Sequence, residues 1–506
     1  MAEQLHLLAG GFQTAFSLYH VALMVAGVLL GILVGVLPGL GAPNGVTLLL
    51  PLTFTMTPVS AIILLSSMYW GALFGGSTTS ILFNIPGEPS SVATTFDGHP
   101  MARKGDAARA LATAFLSAGF GALAGVMVVT LVANTIADFA LKFSPAEYFA
   151  VYLLTFCSYA GMSGGRPLKT IAALLVGLIL AGVGTDTVSG EMRLTYGSDL
   201  LVGGVSFLAA VVGLFGIGEL LVTVEEGLAF QGLHARMSWR VIWQTMKEMP
   251  GHGWALLRST LIGCWMGITP GGPTAASFMS YGVAKRFSKR RANFGQGEPE
   301  GVVAPEAADH SAGVSALLPM LALGVPGSAT AAVMMGGLMI WGLQPGPMLF
   351  VDQPDFVWGL IASMYMANVV AIVLVLATIP LFASILRAPF AIIGPIIVVV
   401  CLIGAYTIAG KMFDVWLALG FGVVGYVFKK LDYPIAPLIL AMVLGDKTED
   451  AFRQSMLLSN GSLGIFYANG LVGTLVTVAL LLLAWSFVGP LLKKRAAAPE
   501  EPCATA

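Results

Sequence analysis

The chain has 506 residues, 57% of them hydrophobic and 10% charged, with a net charge of −1. Soluble globular domains carry about 25% charged residues, so an ordinary soluble domain is excluded. A near-neutral chain also offers no basic field for a nucleic acid, and no nucleic-acid partner is expected.

Taken in chain order, apolar runs long enough to span a hydrocarbon core recur at 16–37, 60–82, 108–133, 146–163, 168–185 and 200–222. They continue at 254–269, 313–326, 357–386, 389–409, 413–428 and 466–492. The pattern predicts an all-α, polytopic membrane protein with about 12 membrane segments. Shorter apolar stretches lie at 44–54, 274–284, 328–345 and 433–445. The first Lys or Arg is Arg103, so no basic signal-peptide region opens the chain. Insertion into an inner membrane through its own helices is expected. Cys157, Cys264, Cys401 and Cys503 lie far apart, giving neither a disulfide framework nor a metal spacing.

Two pairs of Pro-Gly breaks interrupt these runs. "GVLPGLG" at 35–41 answers "GITPGG" at 267–272, and "NIPGEPSS" at 84–91 answers "GVPGSATA" at 324–331. The charges beside them are exchanged: basic residues follow the second break of the first half in "MARKGDAAR", but the first break of the second half in "KRFSKRRANF". Lys and Arg mark cytoplasmic loops. Equivalent loops therefore fall on opposite sides, the pattern of two inverted-topology repeats with discontinuous helices meeting near the midplane. The halves are 1–222 and 253–492. Between them, 223–252 reads as an amphipathic surface connector with Trp239 and Trp243 at the interface, and 493–506 as a disordered cytoplasmic tail.

Irregular backbone at membrane depth is tolerated where protein buries it or where it lines a cavity. A helix restarting after a break aims free N–H groups and its positive end at that point, which suits a carboxylate. The candidate substrate-binding residues of the first half are Pro38, Gly39, Gly41, Asn44, Ser77, Thr78, Thr79, Asn84, Pro86 and Gly87. Those of the second are Gly271, Gly272, Thr274, Pro326, Gly327 and Ser328. Hydroxyl, amide and carbonyl oxygens also suit a hard cation, and a sodium ion is expected near Gly39, Asn44, Gly271 and Thr330. Glu88, Asp97 and His99 are the nearest charges, the last two also suited to capping and turning the chain. Small and hydroxyl residues equally serve close helix packing in membranes, so packing is the competing role for each one.

Over roughly 15–490 the chain resembles the large membrane subunit of the tripartite tricarboxylate transporters. The motifs are "NIPGEPSSVATTFDGHPMARKG", "GVLPGLGAPNG", "ASFMSYGVAKRFSKR" and "EGVVAPEAADHSAGVSALLPMLALGVPGS". The resemblance implies a bacterial inner-membrane secondary transporter importing di- or tricarboxylates such as citrate on a sodium or proton gradient. It also implies a small four-helix membrane subunit and a periplasmic binding protein as partners, and an elevator-like movement. Against the family's pattern, "PGGPTAASF" is one residue shorter, Asp309 and His310 replace two asparagines, and Ala322 replaces a threonine.

Other classes are weaker. "GMSGG" at 161–165 places Ser163 in an intramembrane-protease-like tetrad, but no histidine pairs with it in the pattern. Neither a zinc-protease motif nor a phosphate-binding loop occurs, so no enzyme, no cofactor and no ATP drive are expected. A stand-alone ion-coupled carboxylate carrier shares the same breaks and stays open as the alternative.

Overall fold

The computed structural model describes residues 2–37, 40–161, 167–186, 189–226, 238–269, 271–385 and 390–496. Pro38, Gly39, Pro270, Ser163, Cys503, connector residues 227–237 and the tail from 497 lie outside the described residues.

Among the described residues the regular structure is helical apart from one two-residue antiparallel pairing, Gly184–Thr185 with Met192–Arg193. Among the described residues, seven helices are long and apolar enough to cross a membrane. The expectation of about 12 rested on apolar run length alone. The run at 168–185 falls on the shorter helix Pro167–Ala181. The run at 313–326 is divided between Glu300–Ser315 and Leu317–Leu323.

The chain divides by packing into two units, one of residues 1–142 with 205–430, the other of 143–204 with 431–506. Each draws on both sequence halves, so the units and the repeat halves are different divisions of the same chain.

In the larger unit, α1 (Leu18–Val36) lies against α3 (Pro58–Phe83), with α2 (Gly41–Leu49) between them in sequence. The N-cap Thr57, followed by Pro58, starts α3 by accepting the Ser60 N–H. A strip of glycines lets α1 and α3 touch backbone to backbone: a methyl on Gly31 would stand 2.1 Å from the Met68 carbonyl oxygen. Lacking any charged residue, α3 is buried from Ser60 to Leu82, as suits a helix at the centre of a bundle. α4 (Val92–Met101) follows a single turn at Pro89–Ser91, and α5 (Ala107–Ala140) follows α4.

The second half repeats the arrangement with α6 (Gly253–Gly267), α7 (Gly272–Phe287), α8 (Glu300–Ser315), α9 (Leu317–Leu323) and α10 (Ala329–Ile340). α8 is buried from Gly301 to Ser315. It packs against α5, α6 and α7.

In the smaller unit, Pro145–Gly161 packs on Gly470–Ala496, and Pro167–Ala181 on Ile435–Leu458. There Arg453 and Arg193 both pair with the buried Asp186, at 2.9 and 3.6 Å, and Arg193 also pairs with Glu449 at 2.7 Å. The bond to Glu449 holds the Arg193 guanidinium above its ordinary range. Three free cysteines, Cys157, Cys264 and Cys401, are buried.

Candidate functional site

The breaks have matching geometry. α3 ends at Asn84, left-handed at φ 59°, and α9 ends at Gly324, left-handed at φ 67°. Each leads through a Pro-Gly pair into an extended residue, Glu88 in the first half and Ser328 in the second, where the next helical turn begins. Ser328 caps α10 by accepting the Ala331 N–H at 3.1 Å. The first breaks match likewise: Gly41 has φ +53° at the start of α2, and Gly271 has φ +77° just before α7. Such dihedrals suit glycine because no Cβ obstructs them.

Glu88 occupies the place the sequence suggested for a ligand. Its carboxylate accepts the Ala42 N–H at the opening of α2. A methyl on Gly41 would lie 3.3 Å from Oε1. An internal anion therefore meets the positive end of α2. Glu88 is held from behind: its N–H donates to Ser91 Oγ at 3.2 Å, and Ser80 Oγ donates to the same oxygen at 2.9 Å.

Glu306, on α8, joins the halves. Its two carboxylate oxygens accept Ser77 Oγ at 2.8 Å and Thr94 Oγ1 at 2.6 Å. One turn further, His310 Nδ1 lies 3.2 Å from the Glu306 carbonyl oxygen and 3.8 Å from Oε2, while the Phe74 ring stands 4.5 Å from the imidazole. Asp309 sits between these positions, with the Tyr69 phenol and the Ser90 hydroxyl beside it.

The hydroxyl-rich end of α3 is turned inward. Thr78 and Thr79 donate to carbonyls of their own helix, at 3.2 and 3.0 Å. Their oxygens, rather than their protons, remain for a ligand. In the second half Ser277 and Ser280 donate to the Pro305 and Ala304 carbonyls of α8.

Asp97 has a structural task. Its Oδ1 accepts three backbone N–H groups, from Gly295, Gly297 and Glu298, at 2.8–2.9 Å, and Tyr281 Oη donates to Oδ2 at 2.9 Å. Lys104 Nζ adds a bond to the Gln296 carbonyl oxygen at 2.5 Å. The two basic loops, one from each half, are thereby tied together. His99 turns back to the Ile81 carbonyl oxygen.

Of the residues named from sequence, Gly41, Ser77, Thr79, Gly87 and the α3 terminus at Asn84 gather around Glu88 and Glu306. Gly271, Gly327 and Ser328 gather around the matching break, where the Gly271 N–H donates to the Gly327 carbonyl oxygen at 3.0 Å. Asn44 is buried on α2, and Thr330 on the first turn of α10, and these two helices pack together. Thr274 is half-buried near the start of α7. Glu306 and Tyr69 were missed. The available signal for Glu306 was its place beside Asp309 and His310 in an alanine-rich buried helix, because ionisable residues inside a membrane protein's buried helices mark function by default.

A helical chain with membrane-length spans, whose breaks meet in a buried polar centre, belongs to the class of multi-pass membrane transport proteins. Residues 21–440 match the tripartite tricarboxylate transporter TctA family, and the chain belongs to that family. This is a family of transporters, not enzymes. The chain is 36% identical over 497 residues to an uncharacterized 52.8 kDa protein in the TAR-I ttuC' 3' region of Agrobacterium vitis, with 98% of each chain covered. It is also 36% identical over 234 residues to an uncharacterized protein in the TAR-II ttuC' 3' region of the same organism, covering 46% of this chain and 97% of that one. No solved structure matches.

Proposed function

We propose that this chain is the membrane permease subunit of a binding-protein-dependent secondary transporter. It imports di- or tricarboxylates of the citrate type across a bacterial inner membrane on a sodium or proton gradient. Its partners are a small four-helix membrane subunit and a periplasmic solute-binding protein.

The observation that carries this reading is the matched pair of breaks, Asn84–Gly87 and Gly324–Gly327, set in buried helices. Family membership supports a tripartite system. Glu88 at the opening of α2 supports the chemistry, since a carboxylate already fits against this helix end. Inverted repeats draw support from the bond between Lys104 and Gln296, which joins basic loops that follow non-equivalent breaks. An elevator-like movement of a substrate-carrying part fits such repeats.

The test is uptake of radiolabelled citrate and a panel of dicarboxylates into proteoliposomes under an inward sodium gradient. One set holds this chain alone; the other adds the small membrane protein and the binding protein. Uptake in the complete set only is the expected result. Uptake by this chain alone makes it a self-sufficient carrier, and no uptake in either set ends the carboxylate reading.

A further inference from the structure

We propose that Asp309, with the hydroxyls of Ser90, Tyr69 and Ser328, forms a sodium-binding site in the core between the two breaks. This position differs from the sodium ligands expected near Gly39, Asn44, Gly271 and Thr330. Its role in coupling rests on the transport reading above; the binding itself does not.

The first ground is the carboxylate. Asp309 is 1% exposed, and neither Oδ1 nor Oδ2 makes a well-formed hydrogen bond. A buried charged group must be paired or must bind a metal to be tolerated. Among the described residues no lysine or arginine pairs with Asp309, nor with its neighbours Glu306 and Glu88. The nearest charges thus have the same sign, and the one basic ring, His310, is directed by Nδ1 at Glu306.

The second ground is the lining. Ser90 leaves the first break beside Asp309, Tyr69 faces α8 from α3 with its hydroxyl 3.1 Å from where a methyl on Gly313 would stand, and Ser328 of the second break lies near the Tyr69 phenol. All are oxygen ligands, the set a hard cation takes in preference to softer metals. The hydroxyls of Ser77 and Thr94 donate to Glu306 instead of Asp309. An ion here touches residues from both breaks at once, so its binding would join the two halves of the site.

The experiment measures thermal stability of the purified chain in nanodiscs while NaCl replaces choline chloride at constant ionic strength. The expected result is a saturable rise of several degrees with sodium but not potassium, abolished by Asp309→Asn. Should that variant fail to fold, Ser90→Ala supplies the test through a half-saturating sodium concentration raised about tenfold, or 1.4 kcal/mol. An unchanged sodium response in Asp309→Asn, or in Ser90→Ala where only that variant folds, overturns the proposal. So does a wild type indifferent to sodium whose stability shifts with pH instead. Carboxylate uptake plays no part in the readout, so failure of the transport reading remains a separate result.

Discussion

A methyl group on Gly87 would stand 2.3 Å from the carbonyl oxygen of Gly35, and the relationship is repeated in the second half. There a methyl on Gly327 would stand 2.5 Å from the carbonyl oxygen of Gly267. Each break therefore lies against the last turn of the helix before its partner break. Backbone meets backbone at both places, and neither can give way by rotating a side chain.

Gly87→Ala and Gly327→Ala are accordingly expected to destabilise by about 1–3 kcal/mol or more through overpacking. Gly10→Ala meets nothing within 4 Å and is the control. Thermal unfolding in detergent, followed by fluorescence size-exclusion, checks all three. A Gly87→Ala protein as stable as the control would contradict the contact.

Removal of the Glu88 carboxylate leaves the Ala42 N–H without its acceptor at the start of a buried helix. Glu88→Ala should cost about 1–3 kcal/mol, and Glu88→Gln, which keeps an acceptor but no charge, less. If Glu88 also excludes substrate from that helix end, Glu88→Gln changes the apparent substrate affinity in uptake assays more than it changes stability.

Asp97 accepts four donors, three of them backbone. Asp97→Ala should destabilise by about 1–3 kcal/mol or more, since buried donors lose their partner. Tyr281→Phe removes one bond and should cost about 0.5–1.5 kcal/mol. In the double variant the two effects should fall short of additivity, and strict additivity in a thermal double-mutant cycle would sink the assignment.

Glu306→Gln keeps the shape of the side chain but turns one carboxylate oxygen into a donor. It can no longer accept both Ser77 and Thr94. Uptake in the complete proteoliposome system should fall at least about tenfold, the rate equivalent of about 1.4 kcal/mol. Thr94→Val alone should produce a smaller loss, and Thr94→Val added to Glu306→Gln little more.

The breaks themselves were legible in the sequence, because proline and glycine carry their backbone consequences locally. Asn84 and Gly324, Gly41 and Gly271 sit where those residues suggested. What the chain does with the side chains after a break was not legible. Glu88 turns back to α2, Glu306 reaches two hydroxyls more than two hundred residues earlier, and Thr78 and Thr79 bond to their own helix. These choices depend on which helix lies opposite, and no local pattern encodes that. The packing units were hidden for a similar reason. The Pro-Gly breaks of the sequence pair across the middle of the chain, whereas residues 143–204 pack with 431–506.

The clasp on Asp97 also sets an order of events during synthesis. Its backbone donors arrive 198 to 201 residues later. At about 5–20 residues per second, a ribosome takes on the order of 10–40 s to produce them. Through that interval the newborn first half carries a carboxylate whose permanent donors do not yet exist. The first half can enter the membrane early, but its final shape waits for the loop that closes the second.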